Sequence, residues 1–294
     1  MDLSLQKAKV LVEALPYIQK FRQALVVIKF GGSSMEDPEL VRATMQDVVL
    51  MECIGLRPVV VHGGGKAISA ELKRLNIPVE FVNGLRRTCE RTIKVVDDVL
   101  HNQVNSNLVQ LAQAAGGNAI GISGKHVLKA KKTFSVDPAT GEKFDVGFVG
   151  EVVGVDAMPI MHALWEGYIP VVTPLGTGEN GEVFNINADT AACRIAEALH
   201  ARKLVFLSDV PGLMRDPSDE SSVISSVCTT DVPKLIADKV ISGGMLPKIQ
   251  SCLDALAAGV NKVHMIDGRV EHSLLLELFT DSGVGTQIVR PDSI

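Results

Sequence analysis

The chain has 294 residues, 46% of them hydrophobic and 4% aromatic, with a single Trp and a formal net charge of −5. That much aliphatic material can bury one large α/β core or two lobes of a single fold. The acidic balance offers no global field to nucleic acid or an anionic membrane, so neither is expected as a partner. No apolar run approaches the roughly 18 residues of a membrane span, and charges interrupt any signal-peptide core. The five cysteines are odd in number and form no Cys-x-x-Cys pair, which suits reduced thiols packed as small core residues in a cytoplasm.

Residues 3–22 place Leu3, Leu11, Leu15, Ile18 and Phe21 at roughly helical spacing, and Pro16 is expected to kink or restart this amphipathic arm. Its use stays open between packing on its own domain, pairing with a neighbouring subunit, and disorder. Val26-Val27-Ile28-Lys29-Phe30-Gly31-Gly32-Ser33-Ser34 then reads as a buried strand that ends in a lysine and passes into paired glycines. At the carboxyl edge of a sheet such glycines leave backbone N–H groups open to an anion, and Lys29 adds a mobile positive charge. Asp37-Pro38-Glu39 starts a helix running to about Cys53. Pro58-Val59-Val60-Val61 followed by His62-Gly63-Gly64-Gly65 repeats the strand-to-glycine pattern and feeds a helix from about Ala67 to Leu75, a βαβ unit. Val60 and Ile68 stand where a P-loop or a dinucleotide fingerprint requires glycine, which excludes both.

Asn83-Gly84-Leu85-Arg86-Arg87 is a turn carrying two guanidinium groups, able to clamp a carboxylate or simply to face solvent. A long helix from about Glu90 to Ala115 precedes the strand Ala119-Ile120-Gly121-Ile122. The basic run His126–Lys132 reads as a solvated loop, and residues 144–155 read as a flanking hairpin accompanied by the turn Asp137–Gly141. A helix from about Ala157 to Glu166, the strand Ile169–Val172, a loop over 176–181 and a strand Glu182–Ile186 lead to Asn185-Ile186-Asn187-Ala188-Asp189. There Asp189 is either a helix cap or one of three polar side chains gathered at a strand–helix junction. Lys203–Ser208 is a buried strand ending at Asp209-Val210-Pro211-Gly212-Leu213. Ser242-Gly243-Gly244-Met245-Leu246-Pro247-Lys248 opens a helix with Pro247 as its first residue, so Lys248 sits where the helix dipole disfavours a cation unless an anion lies nearby. The strand Lys262–Ile266, the helix Glu271–Phe279 and the strand Thr286–Arg290 close the chain.

Two lysines in opposite halves, glycine-rich loops, one acid between the lysines in sequence, and no nucleophile or metal-ligand motif suit phosphoryl transfer, in which catalysis is largely positioning and charge neutralisation. Without a histidine base the acceptor is best a carboxylate, already ionised at neutral pH. Lys29-Phe30-Gly31-Gly32, Val61-His62-Gly63-Gly64-Gly65, Asn83-Gly84-Leu85-Arg86, Asn185–Ala192 and Gly243–Lys248, in this order, resemble the amino acid kinase family over essentially the whole chain, and within it the members that phosphorylate N-acetyl-L-glutamate. The resemblance implies an α/β fold, a three-layer αβα sandwich around an open, mainly parallel sheet. It divides the chain into a helical arm (1–22), an N-lobe for acceptor binding and dimerisation (23–180) and a C-lobe for the nucleotide (181–294).

The same resemblance implies residue roles. Lys29 and Lys248 stabilise the transition state, and Asp189 holds both. Gly64 and Gly65 bind the acceptor, whose backbone-side carboxylate and acetamido group are gripped by Arg86 and Asn185. Gly31 and Gly32 cradle the transferring phosphate, while Ser208, Asp209, Gly212, Leu213, Gly243, Gly244 and Met245 line the nucleotide site. ATP brings its own Mg²⁺, with no protein metal site. The arm resembles that of arginine-inhibited members, which interlaces dimers into a homohexamer; arginine as effector, with Tyr17, His272 and Glu277 at its site, and a PII-type signalling partner are expectations of that likeness. The chain departs from the family at Lys66, where Pro is common, and at Arg87-Thr88-Cys89, where Val-Thr-Asp is common; both departures adjoin the acceptor site. Alternatives left open are a kinase of glutamate or aspartate and a non-catalytic arginine-responsive regulator.

Overall fold

The computed structural model describes residues 3–137, 140–280 and 283–293. In chain order its elements are α1 (Leu3–Phe21), β1 (Leu25–Phe30), α2 (Pro38–Cys53), β2 (Arg57–His62), α3 (Gly65–Arg74), β3 (Phe81–Val82), β4 (Leu85–Arg86), α4 (Glu90–Asp98), α5 (Ser106–Ala114), β5 (Ala119–Ile122), β6 (Leu128–Val136) and β7 (Lys143–Val155). They continue with α6 (Met158–Trp165), β8 (Ile169–Val172), β9 (Leu175–Thr177), β10 (Val183–Asn185), α7 (Ala188–Ala198), β11 (Lys203–Ser208), β12 (Ser226–Cys228), α8 (Val232–Ala237), α9 (Met245–Ala257), β13 (Lys262–Asp267), α10 (Ser273–Phe279) and β14 (Thr286–Val289).

Eight strands form one sheet in the order β12-β14-β13-β11-β1-β2-β8-β5, and every neighbouring pair is parallel except β13 with β14. Strands covered on both faces need apolar residues at nearly every position, which is why β1, β2, β8 and β11 read as near-continuous aliphatic runs. Alternate residues serve opposite faces. Val27 joins a core built with α6, α7 and α9, whereas Val26, Ile28 and Phe30 join another built with α2, α5 and α10. This is the three-layer αβα sandwich that the sequence implies. Truncating Ile28 or Phe30, both fully buried, to alanine would cost on the order of 2–5 kcal/mol through the cavity left behind.

Two smaller units flank the sheet. Strands β6, β7, β9 and β10 pair among themselves into a closed set, and β3 with β4 forms a hairpin. Its turn residues Asn83 and Gly84 both have positive φ, 47° and 82°, the conformation that an Asn-Gly pair adopts most readily.

The structure corrects several sequence expectations. Helix α1 runs unbroken through Pro16. The long helix expected over Glu90–Ala115 is α4 and α5 joined by a π-helical turn, Val99–Asn105. His126–Lys132 is largely strand: β6 pairs with β7, and Lys129, Lys131 and Lys132 point to solvent, so the solvated face is there but the loop is not. Of the turn expected at Asp137–Gly141, Pro138 and Ala139 lie outside the described residues. The loop expected at 176–181 contains the end of β9, while β12 and α8 have no counterpart in the sequence reading. Cys193 and Cys252 are core residues, but Cys53 and Cys89 are exposed. Among the described residues no helix is long and apolar enough to cross a membrane.

Candidate active site

Strand β1 carries Lys29 to the carboxyl edge of the sheet, on the face that meets α7. There Lys29 Nζ lies 3.0 Å from Asp189 Oδ1, with the two side chains 14% and 20% exposed. Capping of α7 falls to Asn187, whose side chain accepts from the backbone N–H of Asp189 at 2.8 Å and of Thr190 at 3.1 Å. The Asp189 carboxylate is therefore available to hold the lysine. The ammonium folds back over the glycine turn, since a Cβ on Gly31 would meet Lys29 Nζ at 2.7 Å. Gly32 has φ +84°, and a Cβ there would collide with the Asp209 carboxylate, so only glycine fits.

One strand away, β2 ends at His62 and opens into Gly63-Gly64-Gly65. A cleft of about 200 Å³ is lined by these glycines with Arg86, Asn185 and Asn187, and a larger one of about 800 Å³ shares Gly64, Gly65 and Arg86 with it. Arg86 is 7% exposed. Its Nη2 donates to Gly65 O and to Ser69 Oγ, both at 2.8 Å, and its guanidinium lies 4.7 Å from the Phe81 ring centre. Its Nη1 is buried with no hydrogen-bond partner among the described residues. Burial lowers the guanidinium's pKa, yet the group stays charged at any physiological pH. A buried cation with an unused donor, beside bare glycine amides, is built to take a carboxylate. Lys66 forms an ion pair with Glu36 across the wider cleft, joining the loop after β1 to the start of α3.

On the other side of β1, β11 ends at Ser208. The resemblance assigns both lysines to Asp189; among the described residues Asp189 pairs with Lys29, whereas Lys248 Nζ donates to Ser208 Oγ at 2.8 Å. The strand-end hydroxyl stands beside the first turns of α9 and satisfies the ammonium there. That helix begins at Met245, two residues before the expected Pro247, behind an open turn of Gly243 and Gly244. Asp209 reaches back to β1's loop: Ser33 donates to its Oδ1 through both the backbone N–H at 2.6 Å and Oγ at 2.9 Å. Gly212 and Leu213 instead face β14, with Leu213 N–H donating to Thr286 Oγ1 at 2.8 Å.

A separate cavity of about 850 Å³ lies between α1 and the C-terminal elements, lined among others by Tyr17, Lys203, His264, Glu277 and Arg290. Glu277 accepts from His264 Nδ1 at 2.5 Å and from Val284 N–H at 2.9 Å. Burial lowers the pKa of His264, whose Nε2 has no partner among the described residues. Burial would raise that of Glu277, but the hydrogen bond and charge of His264, the Val284 N–H and the charge of Lys203 together outweigh it and keep the carboxylate ionised. Burial also brings Lys203 down to about 8. Tyr17 and Glu277 thus share one cavity. His272 does not line it: its Nδ1 meets Asp47 Oδ1 at 2.5 Å, in a left-handed N-cap of α10. Asp47, buried in α2, also accepts from the backbone of Leu274 and Leu275, and desolvation pushes its carboxyl up to about 6. Residue 272 is turned toward α2 because this carboxylate caps α10.

Sequence reasoning missed Ser69, Glu36, Ser33 and Asn105 as parts of the site. Only Ser33 borders a strand-to-glycine motif, and each matters only through a partner at least 17 positions away.

Residues 24–267 match the model of the amino acid kinase family. Among curated proteins the chain is 50% identical to the acetylglutamate kinase of Heliobacterium modesticaldum over 98% of this chain and 99% of that protein. It is 48% identical to that of Carboxydothermus hydrogenoformans, again over 98% and 99%. Among solved structures, an N-acetylglutamate synthase from Neisseria gonorrhoeae superposes with a TM-score of 0.82 at 24% identity, covering 96% of this chain but 63% of that longer one. Carbamate kinase from Giardia lamblia gives a TM-score of 0.64 at 13% identity, covering 91% and 98%. These last two establish likeness of fold alone.

Proposed function

The chain belongs to the amino acid kinase family, and from that premise we propose that it transfers the γ-phosphoryl group of ATP to the side-chain carboxylate of N-acetyl-L-glutamate, a step of arginine biosynthesis. The observation that carries this reading is Arg86, a buried guanidinium with an Nη1 that has no partner among the described residues, beside Gly64 and Gly65, which follow the strand next to that of Lys29. Arg86 holds the acceptor's backbone-side carboxylate and Asn185 its acetamido group, which leaves the side-chain carboxylate to face the glycine edge. Gly31, Gly32, Gly64 and Lys29 neutralise the charge that spreads over the transferring phosphoryl oxygens, and Lys248 meets the leaving group from the C-lobe. Mg²⁺ travelling with ATP would screen the bridging oxygens. Asp189 acts through Lys29. Ser208, Asp209, Gly243, Gly244 and Met245 border the nucleotide, with Gly212 and Leu213 supporting them from behind.

Two further readings accompany this one. We propose that arginine binds in the cavity of Tyr17 and Glu277, its guanidinium on the ionised Glu277 and its carboxylate among Lys20, Arg202 and Lys203, to inhibit the enzyme. Helix α1 leaves Leu5, Val10, Leu11, Val12 and Leu15 exposed, which supports exchange of arms between dimers into a hexamer. A cytoplasmic location and docking of a PII-type protein belong to the same proposal. Incubation with ATP and either N-acetyl-L-glutamate, glutamate or aspartate in hydroxylamine, which traps acyl phosphates, tests the acceptor; product from free glutamate but not from its acetylated form refutes the assignment. Light-scattering mass of the full chain and of a variant lacking residues 1–22 tests the assembly.

A further inference from the structure

His62 is the last residue of β2 and fully buried, and both of its ring nitrogens are engaged. Nδ1 lies 2.7 Å from Gly63 O, and Nε2 lies 3.1 Å from Asn105 Nδ2. A carbonyl oxygen only accepts, so Nδ1 must carry the hydrogen. The amide of Asn105 is fixed in the same way, because its Nδ2 also lies 2.8 Å from Val171 O. That nitrogen donates to both neighbours, which leaves Nε2 of His62 as an acceptor. The ring is therefore neutral and locked as the Nδ1–H tautomer, the less common one in solution. Burial holds its pKa down at about 4.

In a planar trans peptide the C=O and the following N–H point in opposite directions. With Gly63 O held inward by His62, the Gly64 N–H faces outward, to the clefts that Gly64 lines. The π-helical turn Val99–Asn105 braces the same loop from two points. Leu100 occupies the place where a Cβ on Gly64 would sit, 2.6 Å from its Cδ2. Asn105 comes in over Gly121, where any Cβ would collide with its side-chain oxygen. The extra residue of a π-turn is what brings both side chains onto one loop.

We propose that His62 is a positioning residue: by gripping the Gly63 carbonyl it fixes the peptide plane that presents the Gly64 N–H to the phosphoryl group, with Asn105 holding the ring in the required tautomer. This rests on the proposed carboxylate-kinase reading of the site.

Two measurements test it. With ¹⁵N-labelled histidine, two-bond ¹H–¹⁵N spectra should show a neutral Nδ1–H ring that His62→Gln removes, distinct from the Nδ1–H of His264 on Glu277, and that does not titrate from about pH 8 to about pH 6. An Nε2–H pattern, or titration in that range, for the ring lost in His62→Gln overturns the proposal without reference to turnover. In kinetics, His62→Gln keeps an acceptor for Asn105 but loses the donor to Gly63, and should slow turnover by about 10- to 100-fold with the KM for ATP within about threefold. His62→Asn places an amide N–H where Nδ1–H stood and should regain much of that loss at a similar melting temperature. Equal turnover of the two variants, or His62→Gln within about twofold of wild type, overturns the proposal. If wild type itself fails to phosphorylate N-acetylglutamate, the acceptor assignment falls, and the tautomer spectrum alone decides whether His62 holds the loop.

Discussion

Replacing Lys29 by methionine removes a charge and little volume, and its effect on rate can be sized from the Lys29–Asp189 geometry. At 3.0 Å and an effective dielectric near 20 the bare attraction of this pair is about 5 kcal/mol. With side chains 14% and 20% exposed, desolvation and screening reduce its net worth to folding to on the order of 1 kcal/mol. The transition state feels the ammonium differently. A phosphoryl oxygen about 4 Å from Nζ would gain about 4 kcal/mol at the same dielectric, and removal of one preorganised donor in other enzymes costs about 3–4 kcal/mol. Lys29→Met should therefore slow turnover by roughly two to three orders of magnitude, with unfolding free energy changed by about 1 kcal/mol. The assay is initial-rate trapping of the acyl phosphate with hydroxylamine, beside a denaturant melt. Asp189→Asn should be costly alone and nearly silent in the Lys29→Met background, since its work is done through the lysine. Lys29→Met keeping more than about a tenth of wild-type turnover, or Asp189→Asn costing the same in both backgrounds, rules out this role for the lysine.

Lys248→Ala should slow turnover by about two orders of magnitude or more, whereas Ser208→Ala, which removes only the group that holds it, should cost about tenfold; the reverse order in the same assay would show that Ser208 and not Lys248 meets the phosphate. Gly64→Ala drives a methyl group against Leu100 and should raise the acceptor KM and slow turnover together, with partial recovery in the Gly64→Ala/Leu100→Ala double variant. Below about pH 6.5 the unfolded chain protonates His62 while the native chain does not until about pH 4, so this residue makes stability fall as pH drops through that window, by at most about 3 kcal/mol. Asp47 has the opposite sign: the native state keeps its proton up to about pH 6, and stability is lost as pH rises from about 4 to about 6. Denaturant melts should show a shallower acid slope in His62→Asn and a steeper one in Asp47→Asn. Glu277→Gln should weaken arginine inhibition at least tenfold in a dose–response curve, and a wild-type curve flat in arginine removes that site from consideration.

What was legible in the sequence is what sequence neighbours determine. Strand β1 with its lysine and glycines, strand β2 with its glycines, and the start of α2 at Asp37-Pro38 each carry their signal within a few residues, and each stands where it was expected. Arg86 could be named as a carboxylate clamp from its turn, but its burial depends on Ser69 and Gly65, which come from α3. The π-turn leaves the apolar spacing of α4 and α5 nearly that of one helix, so no periodicity announces it. Lysines 129, 131 and 132 hid β6, because its inward residues Leu128 and Ala130 are too few to reveal alternation. His272 was drawn away from the cavity of Tyr17 and Glu277 by Asp47, 225 positions upstream, a pairing that no local pattern foretells.

The two-sided burial of β1 bears on how the gene can vary. Lys29 looks toward α7 and its neighbours Ile28 and Phe30 look the other way, into a core that excludes water. Inserting or deleting one residue between Leu25 and Gly31 would swap these orientations, driving an ammonium among methyl groups and turning a phenyl ring onto Asp189. Changes of length among natural variants should therefore collect in the connections around the hairpin of β6 and β7 and spare this six-residue stretch, whatever replacements its side chains accept.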